Sequence, residues 1–316
     1  MRLLENTPRF DVAAAAQIAA QHFGIHATAQ PLPSERDQNF LLTNSTDEKF
    51  VLKIANALES REFLEAQNAV LKHVATRVDF CQAFVHGING DELVTVEGYF
   101  VRMVRYLPGV PLGEIRSHPA ELLRDLGRKL GQLAHALQDF DHPAVQRDFH
   151  WDLSKGNQII DEYAPLIENT RLRDVVLRCR VGFDPRLRRS AIHGDANDYN
   201  VLVDPERMTI SGLLDFGDMV YSYTAADLAI AVAYVVLDKA HPRAAADEVI
   251  KGYTREFALL DEELEAVWPL ALLRLAVSAC MAAYQQRQQP ENEYLRISQR
   301  AIEQNLPRIY TDEYTD

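Results

Sequence analysis

Four oxygen-bearing side chains within the stretch from Ile192 to Asp218 could do chemistry together: Asp195, Asn200, Asp215 and Asp218. Val201 to Val203 and Ile210 to Leu214 are short apolar runs separated by the polar turn Asp204-Pro205-Glu206-Arg207, which predicts a β-hairpin. Such a hairpin brings a loop cluster holding Asp195 and Asn200 beside a second cluster holding Asp215 and Asp218. An amide and a carboxylate across a hairpin suit a hard divalent cation, because Mg²⁺ takes few protein oxygens and fills its remaining positions with water and phosphate. A further carboxylate beside them can act as a base. Phosphoryl transfer needs this combination of a base for the attacking hydroxyl and metal ligands under the phosphates. Asp and Asn are also ordinary turn formers, which accounts for Asp204 by itself.

The string His193-Gly194-Asp195-x-x-x-x-Asn200, followed by Leu214-Asp215-Phe216-Gly217-Asp218, resembles the aminoglycoside phosphotransferase and choline kinase family, which shares the protein-kinase fold. The tighter pattern, His-Gly-Asp-Ala-Asn-Asp-Tyr-Asn-Val-Leu with Leu-Asp-Phe-Gly-Asp-Met, is most similar to the hydroxylysine kinases of that group. The resemblance implies an α+β, bilobal protein-kinase-like fold: a small antiparallel-sheet lobe over residues 1–105 that binds nucleotide, and a mainly helical lobe over 106–316 that carries catalysis and acceptor binding. It implies Asp195 as the catalytic base or nucleophile-orienting group, Asn200 and Asp215 as ligands of Mg²⁺, and ATP or GTP as co-substrate. His193 is expected to brace the loop. Asp198, Asp218, Trp151 and Asp152 are expected to hold a small cationic, hydroxylated acceptor by charge pairing and cation–π contact. The implied reaction is transfer of the γ-phosphoryl group to a hydroxyl of an amine-bearing metabolite.

These groups need elements to position them. Asp11 can cap a helix ending near Phe23, with Gly24 just beyond it. Strands are expected around Ala27 to Leu32, Asn39 to Thr43 and Phe50 to Ala55. The turn from Pro33 to Asn39 stands where protein kinases carry a Gly-rich loop and contains no glycine, so Ser34, Asn39 or main-chain N–H groups could touch phosphate, or the segment is a plain surface turn. In Phe50-Val51-Leu52-Lys53-Ile54-Ala55, alternation puts Lys53 on a face with Val51 and Ala55. It is either a snorkelling edge lysine or, as the resemblance implies, the lysine that meets nucleotide phosphates. A helix from Glu59 to about Ala75 offers Glu62 and Glu65 one turn apart, and the resembling pattern favours Glu65 as the partner of Lys53. The strand Tyr99 to Leu107 runs into Pro108-Gly109, placing the hinge for a nucleotide base at Met103 to Tyr106, with Met103, Val104 and Tyr106 as contacts.

Beyond Pro119 the pattern turns helical. Leu122, Leu126, Leu130, Leu133 and Leu137 form one apolar stripe. Phe149 to Leu153 is a non-periodic aromatic and acidic cluster in which Trp151 could equally be a buried anchor. A helix from Ala225 to Leu237 carries Asp227, a capping or bracing group. Further helices are expected over Pro242 to Phe257, Glu262 to Arg287 with a break at Pro269, and Asn292 to Gln304.

Bulk properties narrow the class. The net charge of −13 opposes a nucleic-acid or anionic-membrane partner. The three cysteines have no metal-ligand spacing and fit reduced thiols in a cytoplasmic protein. The run Leu228 to Leu237 is too short to span a bilayer. A protein kinase is disfavoured because Asn197 stands where such enzymes usually carry lysine. A non-catalytic nucleotide-binding regulator is disfavoured because it has no need of Asp195, Asn200, Asp215 and Lys53 together.

Overall fold

Asp11 starts the first helix as its side-chain chemistry dictates, accepting from the Ala14 N–H at 2.8 Å, and Gly24 ends it at a φ of 69°. The computed structural model describes residues 7–34, 37–288 and 297–314. After α1 (Val12–Phe23) come β1 (Ala27–Leu32), β2 (Gln38–Asn44), β3 (Lys49–Ile54), α2 (Arg61–Val74), β4 (Phe84–Val85), β5 (Val94–Val96) and β6 (Tyr99–Arg105). The strands form one antiparallel sheet in the order β1-β2-β3-β6-β4, with β5 also paired to β6. Alternate residues Phe40, Leu42, Phe50, Leu52, Ile54, Val101 and Met103 meet Ala15, Ile18, Ala19 and Phe23 of α1 in a single apolar core. β3 lies between β2 and β6, so Lys53 is a central-strand residue, 7% exposed, and not a snorkelling edge lysine. α2 starts at Arg61, two residues later than the expected start at Glu59, with Ser60 capping it through the Phe63 N–H at 3.1 Å.

The chain divides into two compact units, one comprising residues up to Pro108 with His142–Ala144, the other Gly109–Asp141 and the rest from Val145. The second unit holds β7 (Val110–Pro111), α3 (Ala120–Leu137), α4 (Gly156–Tyr163), α5 (Thr170–Arg178), β8 (Arg189–Ile192), β9 (Val201–Asp204), β10 (Thr209–Leu213), β11 (Val220–Tyr223), α6 (Thr224–Val235), α7 (Pro242–Tyr253), α8 (Asp261–Gln288) and α9 (Ile297–Tyr314). The leucine stripe of α3 is buried as its period requires. α3 and α7 touch at backbone distance: a Cβ on Gly127 would lie 1.8 Å from the Val249 carbonyl oxygen, and one on Gly252 would lie 2.0 Å from that of Arg124.

α8 is continuous through Pro269, against the expected break. One missing N–H costs a single helical hydrogen bond, while Trp268, Leu270, Leu272, Leu273 and Leu275 around it are buried. By length and composition this helix could cross a bilayer, but most of its apolar surface is enclosed against α4, α6 and α9. The helix expected from Asn292 begins, among the described residues, at Ile297; Asn292 itself lies outside them.

Candidate active site

β9 and β10 form the predicted hairpin, antiparallel, with an irregularity between Ile210 and Gly212. The Ile210 N–H there is taken up by the Asp125 carboxylate of α3 at 2.8 Å. Beyond the paired residues, the Leu214 N–H donates to the Asn200 carbonyl at 2.8 Å, which sets Asn200 beside the chain leading to Asp215. Asp215 adopts a φ of 61°, and its carboxylate accepts from the Gly217 N–H at 3.0 Å to open the short 3-10 turn Phe216–Asp218. Arg147 holds the far side of that turn through the carbonyls of Gly217 (2.8 Å) and Met219 (3.2 Å).

Gly194 is required twice over. Its φ is +81°, and a Cβ there would lie 2.5 Å from the Asp218 carbonyl oxygen. The loop therefore passes against the 216–218 turn with no room for a side chain. Asp227 at the start of α6 braces it, accepting from the N–H groups of His193 (3.2 Å) and Gly194 (2.9 Å). The His193 ring is buried edge-on to Phe216, with Nδ1 accepting from the Asp195 N–H at 3.2 Å. That leaves Nε2 as the protonated nitrogen, donating to the Leu214 carbonyl at 2.9 Å. His193 thus ties the loop to the hairpin.

Asp195 is held on both carboxylate oxygens. Oδ2 accepts from Asn197 Nδ2 (2.9 Å) and Asn200 Nδ2 (2.8 Å), and Oδ1 accepts from Arg274 Nη2 (2.6 Å). Because Asn200 turns its amide nitrogen to Asp195, its Oδ1 is the atom that can face a cation, with the Asp215 carboxylate as a second oxygen donor. This donor set fits a cation that completes its shell with phosphate and water. Burial pushes the Asp195 carboxyl up to about 6; Arg274 opposes the shift and the neighbouring Asp218 carboxylate adds to it. Burial likewise raises Asp198 to about 6, with the charge of Asp195 contributing. The Asp198 main chain is fixed by the Gly113 N–H at 2.8 Å.

Arg274 is the residue of this cluster that the motif did not reveal. It sits on α8, 2% exposed, with Nε on the Tyr234 hydroxyl (3.2 Å) and its guanidinium carbon 4.7 Å from the Trp151 ring centroid. A signal was present: Arg274 is the lone charged residue in the apolar run from Ala266 to Ala283, and a buried charge needs partners.

Other predicted site residues fall elsewhere or do other work. Glu65 is exposed and bonds Arg61 one turn before it at 2.8 Å, rather than serving Lys53, because its position on α2 faces outward like that of Glu62. Met103 and Val104 are corrected as hinge residues: β6 continues to Arg105, and both are paired on one side with β3 and on the other with β4, so their main-chain groups serve the sheet. Tyr106 follows the strand, but its N–H donates to the Lys49 carbonyl at 3.1 Å. Asn39 pairs in register with Lys53, and its buried Oδ1 has no hydrogen-bond partner among the described residues; Ser34 is exposed. Asp152 is a bracing residue in this structure and not an open acceptor contact. Its oxygens accept from the Ser154 N–H (2.9 Å) and hydroxyl (2.5 Å) and from the Ser222 hydroxyl. Trp151 presents a ring face to Arg274, a place where an acceptor ammonium would meet like charge. Asp218 is buried in the turn beside Gly194.

A model of the phosphotransferase enzyme family matches residues 28–265. A hydroxylysine kinase of Mus musculus is 32% identical, with 96% of this chain and 90% of that protein aligned. A hydroxylysine kinase of Xenopus laevis is 31% identical over 98% and 92%. Among solved structures, an amicoumacin kinase in complex with AMP-PNP and Ca²⁺ superposes with a TM-score of 0.72 at 14% identity, covering 95% of this chain and 94% of that one. A microcompartment-associated aminopropanol kinase gives 0.71 at 19%, covering 96% and 98%. The fold is α+β and protein-kinase-like, and the chain belongs to the phosphotransferase enzyme family, whose members act on a hydroxyl group.

Proposed function

We propose that the protein is a small-molecule kinase that transfers the γ-phosphoryl group of ATP or GTP, with Mg²⁺, to a hydroxyl of a hydroxylysine-like amino acid or a related amino alcohol. The observation that carries this reading is the Asp195 constellation. A half-buried carboxylate, fixed by two amides and an arginine, stands beside an amide oxygen and a second carboxylate that suit a divalent cation. Full-length similarity to hydroxylysine kinases supports the acceptor class.

In the proposed reaction Asp195 orients the acceptor hydroxyl and takes its proton as its oxygen bonds the γ-phosphorus and the bond from that phosphorus to the bridging oxygen breaks, releasing ADP or GDP. Oδ1 receives only the Arg274 bond among the described residues, so a lone pair remains for that hydroxyl. Asn200 and Asp215 would hold Mg²⁺, which when bound offsets charge on the nucleotide phosphates. Lys53 is the proposed phosphate contact of the first unit. Asp198 and Asp218 are the carboxylates proposed to attract an acceptor ammonium. Positioning and fixed electrostatics supply most of the rate enhancement in such a reaction. The test is ADP or GDP formation with 5-hydroxylysine, 1-amino-2-propanol, an aminoglycoside and a neutral sugar. Turnover of 5-hydroxylysine or the amino alcohol above the rest is expected, and efficient use of the sugar with the amines ignored would overturn the acceptor class.

A further inference from the structure

Within the second unit, Arg274 is not fully accounted for by its role beside Asp195. A guanidinium carries five N–H donors in a fixed fork. Nε serves Tyr234 and Nη2 serves Asp195, while Nη1 is buried with no hydrogen-bond partner among the described residues. A buried charged donor without an acceptor carries its desolvation cost uncompensated, so such groups call for an explanation. The explanation has to supply an acceptor, and the strongest acceptor for a guanidinium is a carboxylate taken in the plane of the fork. The surroundings select the same sign of charge. Arg274 places a permanent positive charge against the Trp151 ring, which repels an ammonium on this side and favours an anion. Asp198 and Asp218 supply negative charge near Asp195, and Asp218 also acts electrostatically on Arg274.

We propose that Arg274 is the specificity residue for the acceptor's carboxylate, so that the substrate is a hydroxy amino acid and not a simple amino alcohol. This rests on the kinase reading above and narrows its acceptor class. The carboxylate bonds Nη1, the half-buried Trp151 ring shifts on the guanidinium face to admit it, and the hydroxyl is presented to Asp195. Because Nη1 is shielded from solvent, the ion pair forms where water does not screen it, and a substrate lacking the carboxylate leaves the donor unmatched.

The experiment compares 5-hydroxylysine with 1,5-diaminopentan-2-ol, which keeps the chain, the hydroxyl and both amines but lacks the carboxylate. With the wild-type protein, kcat/KM is expected to favour 5-hydroxylysine by about 10- to 100-fold, carried mainly by KM, the range for a hydrogen bond to a charged group. Arg274→Gln should reduce that preference to within about 3-fold, and Arg274→Lys, which keeps the charge without the fork, should restore only part of it. A second readout uses fluorescence, since the chain has two tryptophans. In a Trp268→Phe background, 5-hydroxylysine should change Trp151 emission and the decarboxylated compound should not. Equal use of the two compounds by the wild type would overturn the inference and leave the kinase reading standing. An equal loss for both compounds in the Arg274 variants would also overturn it, reducing Arg274 to a partner of Asp195. Turnover of neither compound would remove the acceptor reading and this inference together.

Discussion

α8 carries one member of each of two arginine–carboxylate pairs, and the pairs are built to opposite ends. Glu263, with its side chain fully buried, accepts from Arg188 Nε and Nη2 at 2.8 and 2.5 Å, from the Arg188 N–H at 3.2 Å and from the Leu260 N–H at 2.9 Å. Every lone pair that matters has a donor, and although burial opposes it, the Arg188 bonds hold the carboxyl below its ordinary value. Three turns along the same helix, Arg274 meets Asp195 by one nitrogen, leaves another unmatched, and does not prevent burial from pushing that carboxyl up to about 6. A satisfied pair stabilises a fold. An incompletely satisfied one holds charge in readiness for a substrate, at some cost in stability.

The largest effects should separate the two. Asp195→Asn keeps the shape and an acceptor for Arg274, so the protein should fold with a Tm near wild type while kcat falls roughly 10²-fold or more. A rate near wild type for this variant would falsify the assignment of the base. Removing divalent metal with excess chelator should likewise abolish nucleotide-dependent turnover while leaving Tm in the absence of nucleotide unchanged, because Asn200 and Asp215 are anchored by protein hydrogen bonds without it. Unchanged turnover under chelation would remove Asn200 and Asp215 from the reaction.

The contrast also explains what could be read from the chain. β1, the first helix with its Asp11 and Gly24 ends, the leucine stripe of α3 and the hairpin after Asn200 all follow from local rules of capping, period and turn chemistry, and they sit where those rules put them. The motif residues Asp195 and Asn200 were legible because five residues of loop suffice to bring them together, and the hairpin brings Asp215 alongside. Arg274 lies far along the chain from Asp195, and only tertiary packing of α8 makes them neighbours. Glu65 and Asp152 were misread for the complementary reason: the motif supplied a residue type, but local partners, Arg61 for one and Ser154 with Ser222 for the other, took the side chain. α4, α5 and β8 went unread because they are short, at 8, 9 and 4 residues, and too few turns or alternations show a period.

A smaller effect falls on the satisfied pair. Glu263→Gln removes the charge but keeps the shape, and Arg188 is partly exposed, so water screens part of the loss. The cost should be about 2 kcal/mol, the scale of a charge-assisted bond, seen as a Tm lower by several degrees with kcat and both KM values within about 2-fold of wild type. A change in acceptor KM instead would mean that Glu263 belongs to the site, and the division between the two pairs would collapse.

The last distinction is in the sign of the pH dependence, measured on metal-free protein without nucleotide. Glu263 has a folded value below its unfolded one, so its contribution is complete above the unfolded value of about 4.3 and is lost as pH falls through the lower folded value. The Tm gap between wild type and Glu263→Gln should therefore be flat at neutral pH and narrow only in acid. Asp195 has a folded value raised from 3.8 to about 6. The folded state holds that proton more tightly, so its contribution is complete below about 4 and lost as pH rises toward 6, by an amount on the order of 2 kcal/mol. Asp195→Asn cannot titrate, so its stability relative to wild type should rise across that interval, the reverse of the Glu263 slope. Parallel slopes for the two variants would show that both carboxylates are held as structural anions, and the idea of a carboxylate kept in readiness at Asp195 would fail on its own terms.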